Sequence, residues 1–291
     1  MREAGSSSKS GQPQTIVLAT STNSPDRCTT RRVTAIAALL TSRPHIQYRK
    51  DPLFYLRYDF ASLLGCLAFL AVAQLVHLKP VFQEWHASTL LLLPVACYAV
   101  ILGHVFAHNA AHGNFPKAVN RLVGELAGIL VLSRFASWEI IHMRHHQYSD
   151  DLERDPHPNV GGYWKTYFHT LVNVERQLQQ NYFEIHGDTP ENRKREQIRA
   201  YISYATNFVL IACWIKLLGL AGFVMLFLPA SVLGSLHLIH FNWSTHNGME
   251  GKDFKPTNLN SRMFRLGNKL FFGIYAHDTH HKKPRLFNPS L

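Results

Sequence analysis

The sequence predicts an all-α integral membrane protein, with four transmembrane helices in two hairpins and a cytosolic helical cap that carries clusters of histidine. Three observations lead to this prediction. The chain contains four nearly charge-free stretches, each about 20 residues long, which is the length that crosses a bilayer core as a helix. Almost all Lys and Arg residues lie outside these stretches. Most of the 18 histidines fall in a few short segments.

The four apolar stretches occupy about residues 58–78, 87–107, 200–218 and 219–241. The first pair is expected to turn within 78–86 and the second pair near Gly219, which gives the two hairpins. Core helices of a soluble protein are the alternative interpretation. They are less consistent with this pattern, because a core helix of this length normally keeps one polar face.

The distribution of positive charge gives the predicted orientation. If all four stretches span, 28 of the 30 Lys and Arg residues lie on one side, and only Lys79 and Lys216 lie on the other. The positive-inside rule then places both termini and the middle segment in the cytoplasm. The net charge of +11 is therefore attributed to topology and to contact with anionic headgroups of the bilayer. It is not attributed to nucleic acid, because the basic residues flank spans and form no binding module.

The chain is expected to divide into a flexible N-terminal tail, residues 1–46, and a membrane domain, residues 47–291. The tail is rich in Ser and Thr, with only Glu3 and Asp26 acidic. An acid-poor composition that contains Arg also resembles an organellar targeting segment, so both interpretations of the tail stay open.

Two segments between the hairpins complete the predicted fold. Residues 121–138 are apolar but contain Glu125 and Arg134. If this segment spanned, the histidines on either side of it would lie on opposite faces of the membrane, so we expect an interfacial or re-entrant helix. Residues 150–199 are expected to form a polar cytosolic cap, with a helix that starts at Asp188 or Thr189 ahead of a proline.

The histidine clusters predict a metal site. HxxHH occurs twice, at 142–146 and 277–281, and further clusters lie at 104–112 and 237–246. On a helix, HxxHH places three imidazoles on one face. The number of imidazoles exceeds what one four-coordinate zinc ion takes, so two ions are expected, and imidazole suits iron, copper, nickel and zinc alike. The predicted topology brings the clusters that would form this site to the cytosolic side.

Acidic residues close to the clusters are candidates to accept hydrogen bonds from the ring N–H groups of the ligands. These candidates are Asp150, Asp151, Asp155 and Asp278. Asp151 is instead expected to be a solvated surface residue.

At these motifs the sequence resembles the integral-membrane di-iron fatty acyl desaturases and hydroxylases, over roughly residues 47–285. The three histidine boxes of that superfamily resemble "HNAAHG", "HMRHH" and "HDTHH" here. The acidic run and "DPH" after the second box, and the spacing of Asn242 and His246, resemble the acyl-CoA (stearoyl-CoA type) branch. The first box departs from that branch, because three residues separate its histidines where the branch has four.

The resemblance implies two iron ions (Fe2+/Fe3+) held by nine imidazoles. These are His108, His112, His142, His145, His146, His246, His277, His280 and His281. Asn242 would join through a water, and His104 is an additional candidate. His237 and His240 are expected to line a cavity, and His157 to lie beside the site without binding metal. The other histidines, His45, His77, His86, His169 and His186, are expected to have no role in the site.

The resemblance also implies a function. It predicts an oxygen-dependent desaturase that introduces a double bond into a fatty acyl substrate, with O2 as co-substrate. No flavin or nicotinamide fingerprint appears, so electrons are expected from a separate protein of the ferredoxin or cytochrome b5 type. The alternatives on the same iron site are a hydroxylase and an oxidative decarboxylase that leaves a terminal alkene. A metal transporter is a distant alternative, because transport would need polar ligands deep within several spans.

Overall fold

Helices make up most of the structure, a computed structural model that describes residues 42–291 of the chain. A 3-10 segment, Ala87–Leu92, runs directly into helix α3, and a π-helical segment, Phe223–Phe227, joins α7 to α8. Strands β1 (Gly248–Glu250) and β2 (Asp253–Lys255) form an antiparallel pair after α8. The helices are α1 (Pro44–Lys50), α2 (Phe54–Leu75), α3 (Leu93–His112), α4 (Asn120–Leu130), α5 (Phe135–Tyr148), α6 (Tyr163–His186), α7 (Pro190–Gly222), α8 (Leu228–Thr245), α9 (Arg262–Leu270) and α10 (His277–Lys282).

Three helical segments are long and apolar enough to cross a membrane, namely Phe54–Leu75, Ala87–His112 and Pro190–Thr245. The last contains 56 residues, and the predicted third and fourth spans both lie within it. A further candidate arises if α4 and α5 are counted together, because the two helices bend by 101° across a short break. This bend is consistent with the re-entrant helix that the sequence predicted.

Near Gly219, where the sequence predicted the turn of the second hairpin, the structure has a break in α7. Gly219 has φ 77° and ψ 162°, a conformation outside the helical region that interrupts α7. The backbone N–H groups of Val81 and Phe82 donate to the carbonyls of Leu217 and Leu218, both at 3.0 Å, so the loop after α2 closes against this break. A side chain at position 219 would overlap the carbonyl of Phe82, which explains the glycine.

The predicted helix start before Pro190 is confirmed. Thr189 is the N-cap of α7, and its hydroxyl accepts a hydrogen bond from the backbone N–H of Asn192 at 3.2 Å. This bond satisfies one of the N–H groups that a helix leaves unpaired at its first turn.

The long helices that are consecutive in the chain are not the ones that pack most closely on each other. Helix α2 packs mainly on α7, where the Cys213 thiol lies 3.4 Å from the carbonyl of Cys66. Helix α3 packs on α8, where Gly234 leaves room for the side chain of Val100. Among the four long helices, each helix of the first pair therefore packs on a helix of the second pair.

Helix α6 differs from the uniformly polar cap that the sequence predicted. Its second half exposes polar residues such as Arg176 and Glu184. Its first half instead exposes aromatic and aliphatic side chains, beginning with Trp164 and Phe168. The hydropathy of residues 150–199 as a whole does not reveal this difference, because the two halves average out.

Most of the predicted tail, residues 1–41, lies outside the described residues. The first residues that the structure describes already contact the helical core. Arg43 and His45 both lie 2.8 Å from a carboxylate oxygen of Glu139, whose side chain is fully buried in α5. This contact holds the start of α1 against the helix that carries the second histidine box.

Candidate metal centre

The nine histidines that the resemblance implied as ligands fall into two groups in space. Within each group one nitrogen of every ring lies within 4.8 Å of the corresponding nitrogens of the others. The first group is His108, His112, His142, His146 and His280. The second group is His145, His246, His277 and His281.

Each HxxHH motif contributes to both groups. In α5, His142 and His146 lie one turn apart and join the first group, whereas His145 joins the second. In α10 the division is reversed, because His277 and His281 join the second group and His280 joins the first. The two short helices therefore act as bridges that hold the two groups side by side.

The first box and the chain after α8 supply the remaining histidines of the two groups. His108 and His112 lie at i and i+4 in the last turns of α3, so both rings point to the same side. Gly113 then ends this helix in a left-handed conformation with φ 75°. His246 directly follows α8, and its backbone N–H still donates to the carbonyl of Asn242 at 3.0 Å.

The ring nitrogens converge closely enough to test whether a metal ion fits. The Nε2 atoms of His112 and His142 are 2.7 Å apart, and those of His246 and His277 are 2.9 Å apart. Among the described residues, neither group contains a carboxylate. The buried Nε2 atom of His145 has no hydrogen-bond partner within the protein. Since an unpaired buried polar atom is costly, nitrogens gathered in this way fit a shared cation.

Two carboxylates fix the orientation of ligand rings in the second group. Asp155 is fully buried and lies 2.9 Å from Nδ1 of His145, while it also accepts the backbone N–H groups of Asp150 and His157. Asp150 lies 2.8 Å from Nδ1 of His246. A carboxylate at Nδ1 keeps the proton there and leaves Nε2 free to bind a metal.

The other two acidic candidates lie away from the ligands. Asp151 pairs with Arg154 at 2.5 Å, in agreement with the surface role predicted for it. Asp278 pairs with Lys282 at 2.8 Å one turn further along α10, so it does not orient a ligand ring as the sequence had suggested. Proximity in sequence alone did not separate these acids from Asp150 and Asp155.

Three further residues of the predicted site have distinct positions. Asn242 is buried, and its amide donates to the carbonyl of His157 at 2.8 Å. His157 itself stacks near His145, with ring centres 4.1 Å apart, and forms a smaller group with His145 and Asp155. His104 belongs to neither group of ligands and lies in the wall of the neighbouring cavity.

Burial favours the neutral form of the ligand rings outside the spans. It lowers the pKa of His277 and of His280 well below the usual value of histidine, and the neighbouring imidazoles lower it further. Burial likewise lowers the pKa of His157 to about 4. Neutral imidazole is the form that binds a metal ion, so the rings of His277 and His280 are prepared for ligation at neutral pH.

An apolar cavity of about 430 Å³ adjoins both groups. Its wall includes the rings of His108, His142, His145 and His277, and its remaining lining contains no Lys, Arg, Asp or Glu among the described residues. The indole of Trp138, which the sequence analysis did not identify, lies parallel to the ring of His142 with centres 6.0 Å apart. Aliphatic side chains complete the cavity, among them Ile141, Val174, Leu238, Ile239 and Ile274.

Comparison with known proteins is consistent with this site. The profile of the fatty acid desaturase family matches residues 83–287. The sn-1 oleoyl-lipid 12-desaturase of a Picosynechococcus strain is 26% identical over 231 residues, which cover 70% of this chain and 58% of that protein. The Delta(12) fatty acid desaturase fat-2 of Caenorhabditis elegans is 30% identical over 156 residues, which cover 50% of this chain and 39% of that protein.

A third relative is the Delta-9 desaturase-like 5 protein of Arabidopsis thaliana, 26% identical over 124 residues, or 42% of this chain and 41% of that protein. The chain thus spans about two fifths to three fifths of the curated relatives that it matches. No solved structure matches it significantly. Two of the three relatives are named as 12-desaturases, so the acyl-CoA branch is not confirmed. Since the family profile covers most of the chain and includes all three histidine boxes, the protein belongs to the fatty acid desaturase family.

Proposed function

We propose that this protein is an oxygen-dependent di-iron desaturase that introduces an internal double bond into a fatty acyl chain. The observation that carries the proposal is the apolar cavity, which ends on two groups of imidazoles. An acyl chain fits the wall of such a cavity, and the imidazoles fit a pair of iron ions. The family of the chain supports the same reaction.

The two groups define the ligands that we propose for each iron. His108, His112, His142, His146 and His280 would hold one ion, and His145, His246, His277 and His281 the other. Asn242 lines the cavity beside His145 and His277, where its amide could reach the second ion through a water. His104 is not needed for either ion.

The bound irons, with O2 and electrons, would supply the oxidising power to remove hydrogen from an unactivated carbon. The residues of this chain have a different task. Aliphatic side chains such as Ile141 and Ile239 hold the acyl chain and exclude water. Asp150 and Asp155 keep the rings of His246 and His145 in one orientation, so that the reacting carbon always meets the same geometry.

We further propose that the chain crosses the membrane four times, with both termini and the histidine boxes on the cytoplasmic side. The distribution of Lys and Arg and the break at Gly219 support this topology. A separate protein of the ferredoxin or cytochrome b5 type would then deliver electrons from the cytoplasm.

Metal analysis of the purified protein tests the iron site. Protein from iron-replete cells should contain two irons per chain, and His145→Ala should lose iron because its ring belongs to a ligand group. His86→Ala is the matched control, since that side chain is exposed and belongs to neither group. His45 is unsuitable as a control because it contacts buried Glu139. One zinc per chain without iron would contradict the proposal.

Product analysis tests the reaction. A difference of about 1–2 kcal/mol between competing barriers changes a product ratio by about tenfold or more, so desaturation and hydroxylation diverge easily on one site. Mass spectrometry of acyl chains and volatiles should show a new internal double bond in cells with the wild-type protein. Cells with His281→Ala or an empty vector should lack it. A hydroxylated chain or a terminal alkene as main product would reassign the reaction and leave the iron site intact.

A further inference from the structure

The first half of helix α6 has the polarity of a helix that faces lipid. Apart from Lys165, its exposed side chains are apolar, and they lie on one face, at 59% exposure for Trp164, 61% for Phe168, 59% for Leu171 and 78% for Val172. Its buried side chains are polar and lie on the opposite face, namely Thr166, Thr170 and Asn173. A helix on a water-exposed surface shows the reverse pattern, so hydrocarbon is the environment that fits this face.

The contacts of α6 place this half beside a candidate span. The Tyr163 hydroxyl donates to the carbonyl of Leu236 at 2.9 Å, and the Tyr167 hydroxyl lies 3.4 Å from that of Ser235. Leu236 precedes His246 by ten residues, which corresponds to about 15 Å along a helix. The Tyr163 ring also lies near the rings of His240 and Trp243, with centres 6.0 Å and 5.9 Å apart, so the first half of α6 lies alongside the second half of α8.

The cavity next to the histidines reaches this apolar face. Leu171 is more than half exposed, and it also belongs to the cavity wall. On the α7 side, Asn207 lines the same cavity, and its neighbours Tyr204 and Phe208 are 52% and 73% exposed. The mouth between α6 and α7 is thus bordered by exposed aromatic and aliphatic groups.

In the second half of α6, helices α6 and α7 are in direct contact. Arg199 of α7 forms an ion pair with Glu175 of α6, and it also pairs with Glu196 at 2.9 Å. The guanidinium of Arg199 is fully buried. The gap between α6 and α7 is therefore confined to the apolar part that contains Leu171.

From this geometry we propose that the acyl chain enters sideways from the bilayer, between α6 and α7 and past Leu171. The substrate is then an acyl chain esterified to a membrane glycerolipid. Such a chain moves from hydrocarbon into an apolar cavity without crossing water, so its transfer has little desolvation cost. The phosphate groups of a soluble thioester carrier would have to approach a mouth bordered by exposed apolar side chains, whereas the headgroup of a glycerolipid stays at the bilayer surface. The identity of the substrate rests on the proposed function, whereas the entry of a lipid chain is measurable without it.

Photo-crosslinking of the full-length protein in nanodiscs tests this route. The nanodiscs contain phosphatidylcholine with a small fraction of phosphatidylcholine that carries a diazirine in the middle of one acyl chain. We expect adducts on the cavity residues Ile141, Leu238 and Ile239, mapped by mass spectrometry. Leu171→Trp should block the mouth and lower these adducts about tenfold. Val172→Trp is the matched control, because Val172 is exposed on the same face but does not line the cavity.

Annular lipid provides the control for folding. Adducts on Leu91 and Val95, which are exposed on another helix, should persist in both variants. Two results would overturn lateral entry, namely cavity adducts that survive Leu171→Trp unchanged, or cavity adducts from a diazirine acyl-CoA but not from the phosphatidylcholine probe. Cavity adducts from phosphatidylcholine in a protein that forms no double bond would support the route and reject the desaturase proposal alone.

Discussion

At the scale of single residues, the structure distinguishes the roles of neighbouring acidic residues, which the sequence could not do. Asp150, Asp151 and Asp155 lie within six positions, yet only Asp150 and Asp155 reach a ligand ring. Asp150 has φ 64°, a left-handed conformation that asparagine and aspartate tolerate better than most residues. This conformation turns the chain at the end of α5 and brings both carboxylates back to the histidines.

These contacts predict different effects of three similar substitutions. Asp155→Asn and Asp150→Asn should each weaken metal binding by about 10–100-fold, because the ring that each acid holds loses its charged partner. Asp151→Asn should bind metal like the wild type, since Asp151 pairs with Arg154. Titration of the metal-free protein with Fe2+ or Co2+ measures the affinities. Equal affinity of all three variants would reject the role of the two acids.

Another prediction concerns the contact of Arg43 and His45 with Glu139 at the start of α1. Arg43→Ala leaves the buried carboxylate of Glu139 with His45 as its other side-chain partner. Breaking a buried ion pair costs roughly 3–5 kcal/mol, so the thermal midpoint in detergent should fall clearly. Arg57→Ala removes an exposed pair with Asp51 and should cost at most about 1 kcal/mol. Similar midpoints for both variants would contradict the anchoring role.

At the scale of elements, the break at Gly219 is the point where local conformation decides the arrangement of the last two long helices. A Cβ there would meet the carbonyl of Phe82, and the backbone has positive φ. By contrast, nothing lies within 4 Å of a Cβ at Gly65, which sits inside α2 with helical neighbours. Replacement of the glycine by alanine should therefore lower the stability of the protein at position 219 but not at position 65.

We expect Gly219→Ala to destabilise the protein by about 1–3 kcal/mol for the backbone conformation alone, which essentially only glycine adopts, with the clash added to it. Gly65→Ala should leave stability unchanged or raise it by up to about 1 kcal/mol, because alanine favours the helix. Thermal midpoints and the yield of monodisperse protein in detergent measure both effects. A Gly219→Ala protein as stable as the wild type would show that the turn tolerates another conformation.

At the scale of the whole molecule, the proposed topology predicts which surfaces are reachable from outside the cell. Single cysteines in a cysteine-free background at Glu153 and Lys283 should resist an impermeant thiol reagent in intact cells, because both belong to the histidine side. A cysteine at Glu84, in the loop between α2 and α3, should react. All three should react after permeabilisation, which controls for burial. Reaction at position 153 but not at 283 would place the second and third histidine boxes on opposite sides of the membrane.

The sequence by itself determined the apolar helices, the break near Gly219 and the histidine clusters, and its resemblance to a known family implied the nine histidines that converge. Hydrophobic length and the fixed spacing of HxxHH are local properties, so they can be read without the fold. The tertiary structure alone divided each HxxHH between two groups, chose Asp150 and Asp155 over Asp278, and turned the apolar face of α6 outward beside α8. Those outcomes depend on which distant segments pack together. The sequence of a helix with one apolar and one polar face does not show which face lies against the protein.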